Sequence, residues 1–208
     1  LDAGCGTGFL MKKLKSFGKI YGIDLSNEAL KFAKENGLKK VEKASVEKIP
    51  FMDNTFDAII TIDVLYHKAV KSEVAALKEF KRVLKPGGIL IAKNPAHNWL
   101  RGSHDLIIHT KRRYNKGEFR GKLNKVGFEI IKLSYINLIF FPLAILKRLT
   151  ESILWSKPSS DVGSLPVYIN KLLINISNLE TRLLTKRGIP FGLSLFAIAR
   201  KPIKDSIL

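Results

Sequence analysis

Short apolar runs alternate with amphipathic segments through the first 93 residues, and this alternation leaves few folds open to the chain. The runs with the length and composition of buried strands are residues 19–25, 41–44, 56–62 and 89–93. Between them, Ser26 and Ser72 are N-cap residues that each precede apolar residues at helical spacing. Strands that alternate with helices in this way form a parallel sheet with right-handed crossovers. The sequence therefore predicts an α/β fold.

The second half of the chain continues this pattern and then departs from it. Asn115 can cap a helix that ends at Gly127, and residues 128–135 and 193–200 read as two further strands. Between these strands lie about 57 residues with two helical stretches. The first, Leu138 to Trp155, is unusually apolar. The second follows Pro166 and places on one stripe Ile169, Leu172, Leu173, Ile176, Leu179 and Leu183. We expect a helical insertion between strands 6 and 7.

A glycine-rich segment, Gly4-Cys5-Gly6-Thr7-Gly8, precedes the first helix. Glycines allow a sharp turn at a strand end and allow a ligand to approach main-chain N–H groups at the helix N-terminus. A dinucleotide-binding fingerprint would need glycine at position 9, where this chain has Phe9. The alternative is a tight turn without a ligand. Asp24 favours a ligand, because a carboxylate about 20 residues on, at the next strand end, can accept both hydroxyls of a ribose.

Four segments together resemble the motifs of class I S-adenosylmethionine-dependent methyltransferases, in particular the small-molecule group with a type 11 or 12 methyltransferase domain. The segments are Leu1-Asp2-Ala3-Gly4-Cys5-Gly6-Thr7-Gly8, Ile23-Asp24-Leu25-Ser26, Ile49-Pro50-Phe51 to Phe56-Asp57, and Arg82-Val83-Leu84-Lys85-Pro86-Gly87-Gly88. The resemblance implies a Rossmann-like seven-stranded sheet with strand order 3-2-1-4-5-7-6, its last strand antiparallel.

The resemblance also implies S-adenosyl-L-methionine as cofactor and S-adenosylhomocysteine as product. The residues that the resemblance implies for cofactor binding are Asp2, Ala3, Gly4, Cys5, Gly6, Gly8, Asp24, Leu25, Ser45, Val46 and Asp63. Within this set, Asp24 would hold the ribose and Leu25 one face of adenine. Ser45 stands where the family usually has an acidic residue for the adenine amino group, and a hydroxyl is a weaker acceptor than a carboxylate.

The chain begins at the last residues of its first strand, which is central in this sheet. A gap between strands 2 and 4 would leave main-chain groups of both neighbours unpaired. We therefore expect a fragment whose first strand is truncated, with at least one helix missing upstream.

A polar cluster follows the fifth strand, where the family builds its acceptor pocket. It consists of His104, Asp105, His109, Arg112, Arg113 and Tyr114. Asp105, His109 and Arg113 share a face if this stretch is helical. Three interpretations are open: an acceptor site with a histidine as base and arginines holding an anion, a structural salt-bridge network, or a metal site. The catalytic candidates are His109, His104 and Tyr114. No metal is predicted, because adjacent residues rarely ligate together and a fourth ligand is lacking.

The formal net charge is +18, of which about +13 falls after residue 90. This field favours an anionic partner such as nucleic acid, an acidic membrane surface or a phosphorylated substrate, although a Lys-rich proteome would explain it equally. The apolar residues 138–146, flanked by Lys132, Lys147 and Arg148, fit an interfacial helix. Peripheral membrane contact through residues 136–155 is thus one prediction. Burial against the sheet or in a homo-oligomer fits equally.

One cysteine, in the glycine loop, indicates a reducing compartment, and we expect a cytoplasmic protein, with membrane association if the interfacial helix forms. We expect a single methyltransferase domain over 1–208, with a cofactor-binding half at 1–93, an acceptor-side segment at 94–135 and the helical insertion at 136–192. The polar cluster and the apolar insertion resemble a subset of methyltransferases that act on glycans or lipid-linked molecules.

The predicted function is methyl transfer to a small or lipid- or glycan-linked acceptor. RNA or DNA methylation is an alternative that the charge favours. The end of the fourth strand argues against nucleic acid as the acceptor. It lacks the Asn/Asp-Pro-Pro-aromatic motif of enzymes that methylate base amines and has instead Ile62-Asp63-Val64-Leu65-Tyr66-His67. A non-catalytic basic binding module with a vestigial glycine loop is the third hypothesis.

Overall fold

A computed structural model describes residues 1–154 and 166–203, which form a seven-stranded mixed sheet and its surrounding helices. The strands are β1 (Asp2–Ala3), β2 (Gly22–Asp24), β3 (Val41–Lys43), β4 (Phe56–Ile62), β5 (Leu84–Pro95), β6 (Glu129–Ile136) and β7 (Ser194–Arg200). Their order is β3-β2-β1-β4-β5-β7-β6, and β7 runs antiparallel to both its neighbours. The predicted fold class and strand order are confirmed. Although β1 has only two residues, it pairs with both β2 and β4.

The helices are α1 (Phe9–Leu14), α2 (Asn27–Glu35), α3 (Glu73–Val83), α4 (Ser103–Ile107), α5 (Lys116–Val126), α6 (Phe140–Leu154) and α7 (Val167–Lys186). The predicted caps of α2, α3 and α5 are confirmed. Ser26, Ser72 and Asn115 each accept, through the side-chain oxygen, a hydrogen bond from the main-chain N–H three residues later. Gly127 ends α5 in the left-handed conformation, with φ of 81°.

The start of β5 differs from the predicted strand at residues 89–93. Leu84, directly after α3, is the first residue of β5 and pairs with Phe56. Pro86 cannot donate a helical hydrogen bond, so the chain changes to extended backbone before it. The strand therefore includes Pro86-Gly87-Gly88, with a register irregularity opposite residues 56–58.

Arg82 explains why two of the sequence motifs occur together. Its guanidinium donates to the carbonyl oxygens of Ile49 and Phe51 and to the carboxylates of Glu79 and Asp53. Hydrogen bonds from Glu79 and Asp53 raise the pKa of Arg82 further above its ordinary value. The segment before β4 is thus held against α3 by one residue of the motif before β5.

The insertion between β6 and β7 consists of α6 and α7, as predicted, except that Trp155 lies outside the described residues. Glu180 of α7 accepts hydrogen bonds from the N–H groups of Asn137 and Leu138, which ties α7 to the chain just before α6. Within the predicted stripe of α7, Leu179 is 57% exposed. Leu173 and Ile176 are half-buried; the side chains of Ile169, Leu172 and Leu183 are outside the description. Among the described helices, none is long and apolar enough to span a membrane.

Candidate active site

The glycine loop after β1 makes contacts that only glycine permits. Gly4, Gly6 and Gly8 have φ angles of 88°, 52° and 79°, which other residues rarely adopt. A Cβ on Gly4 would lie 2.2 Å from Val64 Cγ2, and one on Gly8 would lie 1.9 Å from Leu38 Cδ1. A Cβ on Gly6 would meet nothing within 4 Å. Gly4 and Gly8 therefore serve close packing, whereas Gly6 faces open space.

The main-chain N–H groups of this loop are used differently from the prediction. The N–H groups of Gly4 and Cys5 both donate to the Ile23 carbonyl, and that of Gly6 donates to Asp24 Oδ2 at 2.8 Å. These three donors bind β2 and the residue at its end instead of pointing to a ligand. The loop thus holds the Asp24 carboxylate in position.

Asp24 retains acceptor capacity in this arrangement. Its Oδ2 accepts from Gly6 and its Oδ1 accepts from the Ser26 N–H at 2.9 Å. An ionised carboxylate has about four lone-pair sites, so one site on each oxygen remains for a ribose hydroxyl.

A first cavity of about 280 Å³ lies at the carboxyl ends of β1 to β4, where ligands of open α/β sheets bind. It is lined by Gly4, Asp24, Leu25, Ser26, Ala44, Val46, Ile62, Asp63, Val64, His67, Ala69 and Val70. Five of the predicted cofactor residues are among these, namely Gly4, Asp24, Leu25, Val46 and Asp63. Leu25 is 44% exposed, so a face of its side chain is open to a planar group.

Asp2 lies beneath the glycine loop with only 3% of its surface exposed. No hydrogen-bond partner for its Oδ2 atom exists in the part of the chain described here. Burial, together with repulsion from Asp24, raises the pKa of Asp2 to about 6. A buried carboxylate with an unused oxygen fits the ammonium group of a bound amino acid moiety.

Six predicted cofactor residues, Asp2, Ala3, Cys5, Gly6, Gly8 and Ser45, do not line the first cavity. Cys5 packs in a small core cluster with Met11, and burial raises its pKa to about 12. The Ser45 hydroxyl accepts a hydrogen bond from the Glu47 N–H and keeps a second lone pair, so its contact with the adenine amino group stays a prediction.

Asp63 follows β4 and marks the boundary between the first cavity and a second one. Its φ angle of 57° is unusual for a residue with a side chain. Lys93 Nζ donates to Asp63 Oδ2, which joins the carboxyl ends of β4 and β5. Lys93 is a site residue that the sequence analysis missed, although a charged residue at the carboxyl end of a parallel strand is the signal that could have found it.

The second cavity, of about 410 Å³, lies between the end of β5, α4 and α6. It is lined by Asp63, Tyr66, Pro95, Leu100, His104, Ile108, Arg113, Asn137, Ala144, Arg148, Leu193 and Ser194. The sequence analysis did not place Asn137, Arg148 or Ser194 at a site, because they come from the insertion and its edges. The wall combines apolar side chains with a few polar ones, as ligand cavities do.

The polar cluster contains a buried ion pair. Arg113 donates through Nε and Nη2 to both carboxylate oxygens of Asp105, at 2.8 and 2.9 Å. Burial favours a raised pKa for Asp105, but the bonds from Arg113 and the Gly102 N–H outweigh it and lower that pKa. Because α4 ends at Ile107, the expected helical face of Asp105, His109 and Arg113 does not form. The salt-bridge interpretation therefore describes Asp105 and Arg113.

The three catalytic candidates occupy different environments. His104 lines the second cavity. His109 is exposed, has a φ angle of 52° and lines neither cavity, which contradicts its prediction as a base. Tyr114 is fully buried, and its hydroxyl donates to the Leu65 carbonyl at 3.0 Å, so the prediction for Tyr114 is wrong as well.

His67 lines the first cavity, and its Nδ1 accepts a hydrogen bond from the Ala69 N–H at 3.0 Å. The pKa of His67 is lowered, first by burial and then by His109, whose ring lies 5.9 Å away. The neutral ring therefore carries its proton on Nε2 and is a donor there, not a base. Within the described residues, no group of three or more His, Cys, Asp or Glu side chains is placed to hold a metal ion.

Comparison with known proteins agrees with this geometry. A family model described as a methyltransferase domain matches residues 1–92, which contain β1 to β4, most of β5 and every residue that lines the first cavity. This part of the chain belongs to the methyltransferase-domain family, and the whole chain has the fold of solved S-adenosylmethionine-dependent methyltransferases. The residues at the first cavity fit S-adenosylmethionine, the cofactor of those enzymes.

Individual relatives of this methyltransferase differ in how much of the chain they match. An uncharacterized methyltransferase of Schizosaccharomyces pombe is 37% identical over 55% of the chain, which spans 48% of that protein's length. The malonyl-[acyl-carrier protein] O-methyltransferase of Buchnera aphidicola is 29% identical, over an alignment that covers 91% of this chain and 71% of that protein. A solved S-adenosylmethionine-dependent methyltransferase from Mesorhizobium loti has the same fold, with a TM-score of 0.64 over 96% of the chain and 88% of its own, at 17% identity.

Proposed function

We propose that the chain transfers a methyl group to a small or lipid- or glycan-linked acceptor held in the second cavity. The observation that carries this proposal is that Asp63 lines both cavities, so the acceptor cavity adjoins the cofactor cavity. When bound, S-adenosylmethionine would supply a methyl group on a sulfonium: the acceptor atom would displace it in line, the carbon–sulfur bond would break, and S-adenosylhomocysteine would leave.

The residues of the chain act mainly by binding and orienting. Asp24 holds the ribose hydroxyls, Asp2 the ammonium group, and Leu25 one face of the adenine. Positioning alone supplies much of the rate of such a displacement. An acceptor hydroxyl must also lose a proton, and His104 on the wall of the second cavity is placed to take it.

The wall of the second cavity supports an acceptor with an anionic part and an apolar part. Arg113 and Arg148 contribute guanidinium groups, which bind phosphate or carboxylate well, whereas Leu100 and Leu193 offer apolar surface. Arg113 is paired with Asp105, and Arg148 donates to the Leu100 carbonyl, so both guanidinium groups are held in fixed positions at this wall.

Calorimetric titration of the full chain with S-adenosylhomocysteine tests the cofactor cavity. Asp24→Asn should weaken binding about 10- to 100-fold, because it removes a charged acceptor. Glu28→Gln, on exposed α2, removes the same charge outside the cavity and should leave affinity within about twofold. An unmodified chain without affinity would instead favour the non-catalytic binding module.

The acceptor class is tested with methyl-labelled S-adenosylmethionine and a cell extract that is separated after reaction into lipid, small-molecule and RNA fractions. We expect label in the lipid or small-molecule fraction and none with Asp24→Asn. Label confined to RNA would overturn the proposed acceptor class while leaving methyl transfer intact.

A further inference from the structure

We propose that the exposed side of α6 docks on the surface of an anionic lipid bilayer. The α6 outer face is defined here as Leu143, Leu146 and Leu149 of α6 together with Ile139 in the turn before it, and these residues are 63%, 60%, 57% and 44% exposed. The three leucines recur at a spacing of three residues, which places them on one side of the helix. The inference concerns an interaction surface and does not rest on methyl transfer.

The α6 helix carries apolar residues on both of its sides, unlike an ordinary surface helix. Such a helix turns its apolar stripe to the core and its charged residues to water. In α6 the leucines of the outer face point outward, whereas Phe141, Ala144 and Arg148 are half-buried. Arg148 Nε donates to the Leu100 carbonyl, and Arg148 and Ala144 line the second cavity. The inner side of α6 is thus occupied by the wall of the second cavity, and its outer leucines are left for another partner.

Two exposed aromatic side chains lie beside the first turn of α6. Trp99 is 64% exposed and Phe191 is 56% exposed. Both contact Phe141 of α6, with ring centroids 6.0 Å and 6.3 Å from its own. Tryptophan beside leucines is typical of surfaces that insert into the headgroup region of a bilayer.

The surrounding charge favours an anionic bilayer over a second copy of the chain. Residues 96–154 contain eleven Lys and Arg against four Asp and Glu. Arg101, which is exposed and two residues after Trp99, belongs to this excess. Two copies would bring the same positive charge together, whereas acidic lipids attract it. Nucleic acid would satisfy the charge but would leave the leucines in water.

Docking through this face would place the second cavity at the interface. The α6 helix separates the cavity wall, formed by Ala144 and Arg148, from the α6 outer face on its opposite side. An acceptor with a headgroup in the cavity and an acyl chain in the bilayer would then bind without leaving the membrane. Since α6 has only 15 residues, the helix lies along the surface.

Vesicle flotation of the full chain tests the proposal. The vesicles are phosphatidylcholine alone or phosphatidylcholine with phosphatidylglycerol. The double variant Leu143→Glu with Leu146→Glu should lose at least about tenfold in partitioning to the acidic vesicles, because each leucine withdrawn from the bilayer lowers the partition coefficient by roughly this factor. The matched control is Met52→Glu with Ile203→Glu, which are 82% and 75% exposed away from α6 and should float like the unmodified chain. Circular dichroism and S-adenosylhomocysteine binding verify the fold of each variant.

A second measurement uses Trp99 as a reporter, and it needs no variant of the α6 outer face. The chain has two tryptophans, so Trp155→Phe leaves Trp99 alone. We expect its fluorescence to shift to shorter wavelength with acidic vesicles and to be quenched by lipids brominated in the acyl chain. Three outcomes would each overturn the proposal. The first is an unshifted spectrum, and the second is an equal loss of partitioning for both double variants. The third is a dimer in sedimentation that the α6 variant abolishes, without any vesicle binding.

Discussion

At the scale of single residues, the site depends on carboxylates whose surroundings differ. Asp24 is held by two main-chain N–H groups at the cavity, whereas Asp2 is buried with an unused oxygen. Asp63 is paired with Lys93 between the two cavities. Each of these roles follows from what the carboxylate contacts. The role of Asp2 can be tested by changing the pH, and that of Asp24 by removing its charge.

The raised pKa of Asp2 gives a pH dependence. Burial favours the neutral carboxyl and raises its pKa to about 6. Because a bound ammonium group prefers the ionised form, affinity for S-adenosylhomocysteine should fall as the pH is lowered from 7 to 5. The folded state binds this proton more tightly than the unfolded state, so the free energy of unfolding should decrease as the pH rises from about 4 to 6. For Asp2→Asn, calorimetric titrations with S-adenosylhomocysteine at several pH values should give an affinity that does not change with pH.

His104 and His109 form a matched pair of histidines for testing a base. His104 lines the second cavity, whereas His109 is exposed outside both cavities. With an acceptor hydroxyl, His104→Gln should lower the labelling rate about 100-fold, within the usual range for loss of a general base. His109→Gln should leave the rate unchanged. Equal rates for both variants would remove His104 as the base.

At the scale of elements, the segment after β5 is fixed by buried pairs and not by a regular helix. Asp105 of α4 and Arg113 are only 2% and 10% exposed at their side chains, and their bonds close residues 105–113 into a loop. Glu73 of α3, which is 7% exposed at its side chain, lies within 3.5 to 3.7 Å of Lys111, Arg112 and Lys122. Of the residues in these pairs, Arg113 lines the second cavity.

Removing one partner of the buried pair should be costly. Asp105→Asn leaves the Arg113 guanidinium buried without a carboxylate, and we expect about 3–5 kcal/mol lower free energy of unfolding in urea. Asp53→Asn breaks the pair with Arg82, in which the Asp53 side chain is 68% exposed, and should cost less than about 1 kcal/mol. Similar losses for the two variants would show that burial does not determine the importance of the Asp105 pair.

At the scale of the whole molecule, the first cavity joins parts of the chain that are distant in sequence. Its walls come from the carboxyl ends of four strands that are neighbours in the sheet, and β1 between β2 and β4 has only two residues. A ligand in this cavity contacts all four strand ends at once, so it should stabilise the folded state as a whole.

Thermal unfolding with S-adenosylhomocysteine measures that coupling. At a ligand concentration of 100 times the dissociation constant, the gain is about 2.7 kcal/mol, which corresponds to a rise in Tm of roughly 5–10 °C for a chain of this size. Adenosine at the same multiple of its own dissociation constant should give the same rise, since the gain depends only on saturation. A Tm that does not change at saturation would contradict binding in the folded state.

The sequence by itself determined the order of strands and helices, the cofactor-binding half and the family, because hydrophobic period, caps and the glycine loop are local signals. It also identified five of the residues that line the first cavity, Asp24 among them. Only the tertiary structure decided that His104 and not His109 lies at the second cavity, that Lys93 pairs with Asp63, and that α6 turns its leucines outward. A local pattern determines which residues share a face. What lies opposite that face depends on contacts between residues far apart in the chain.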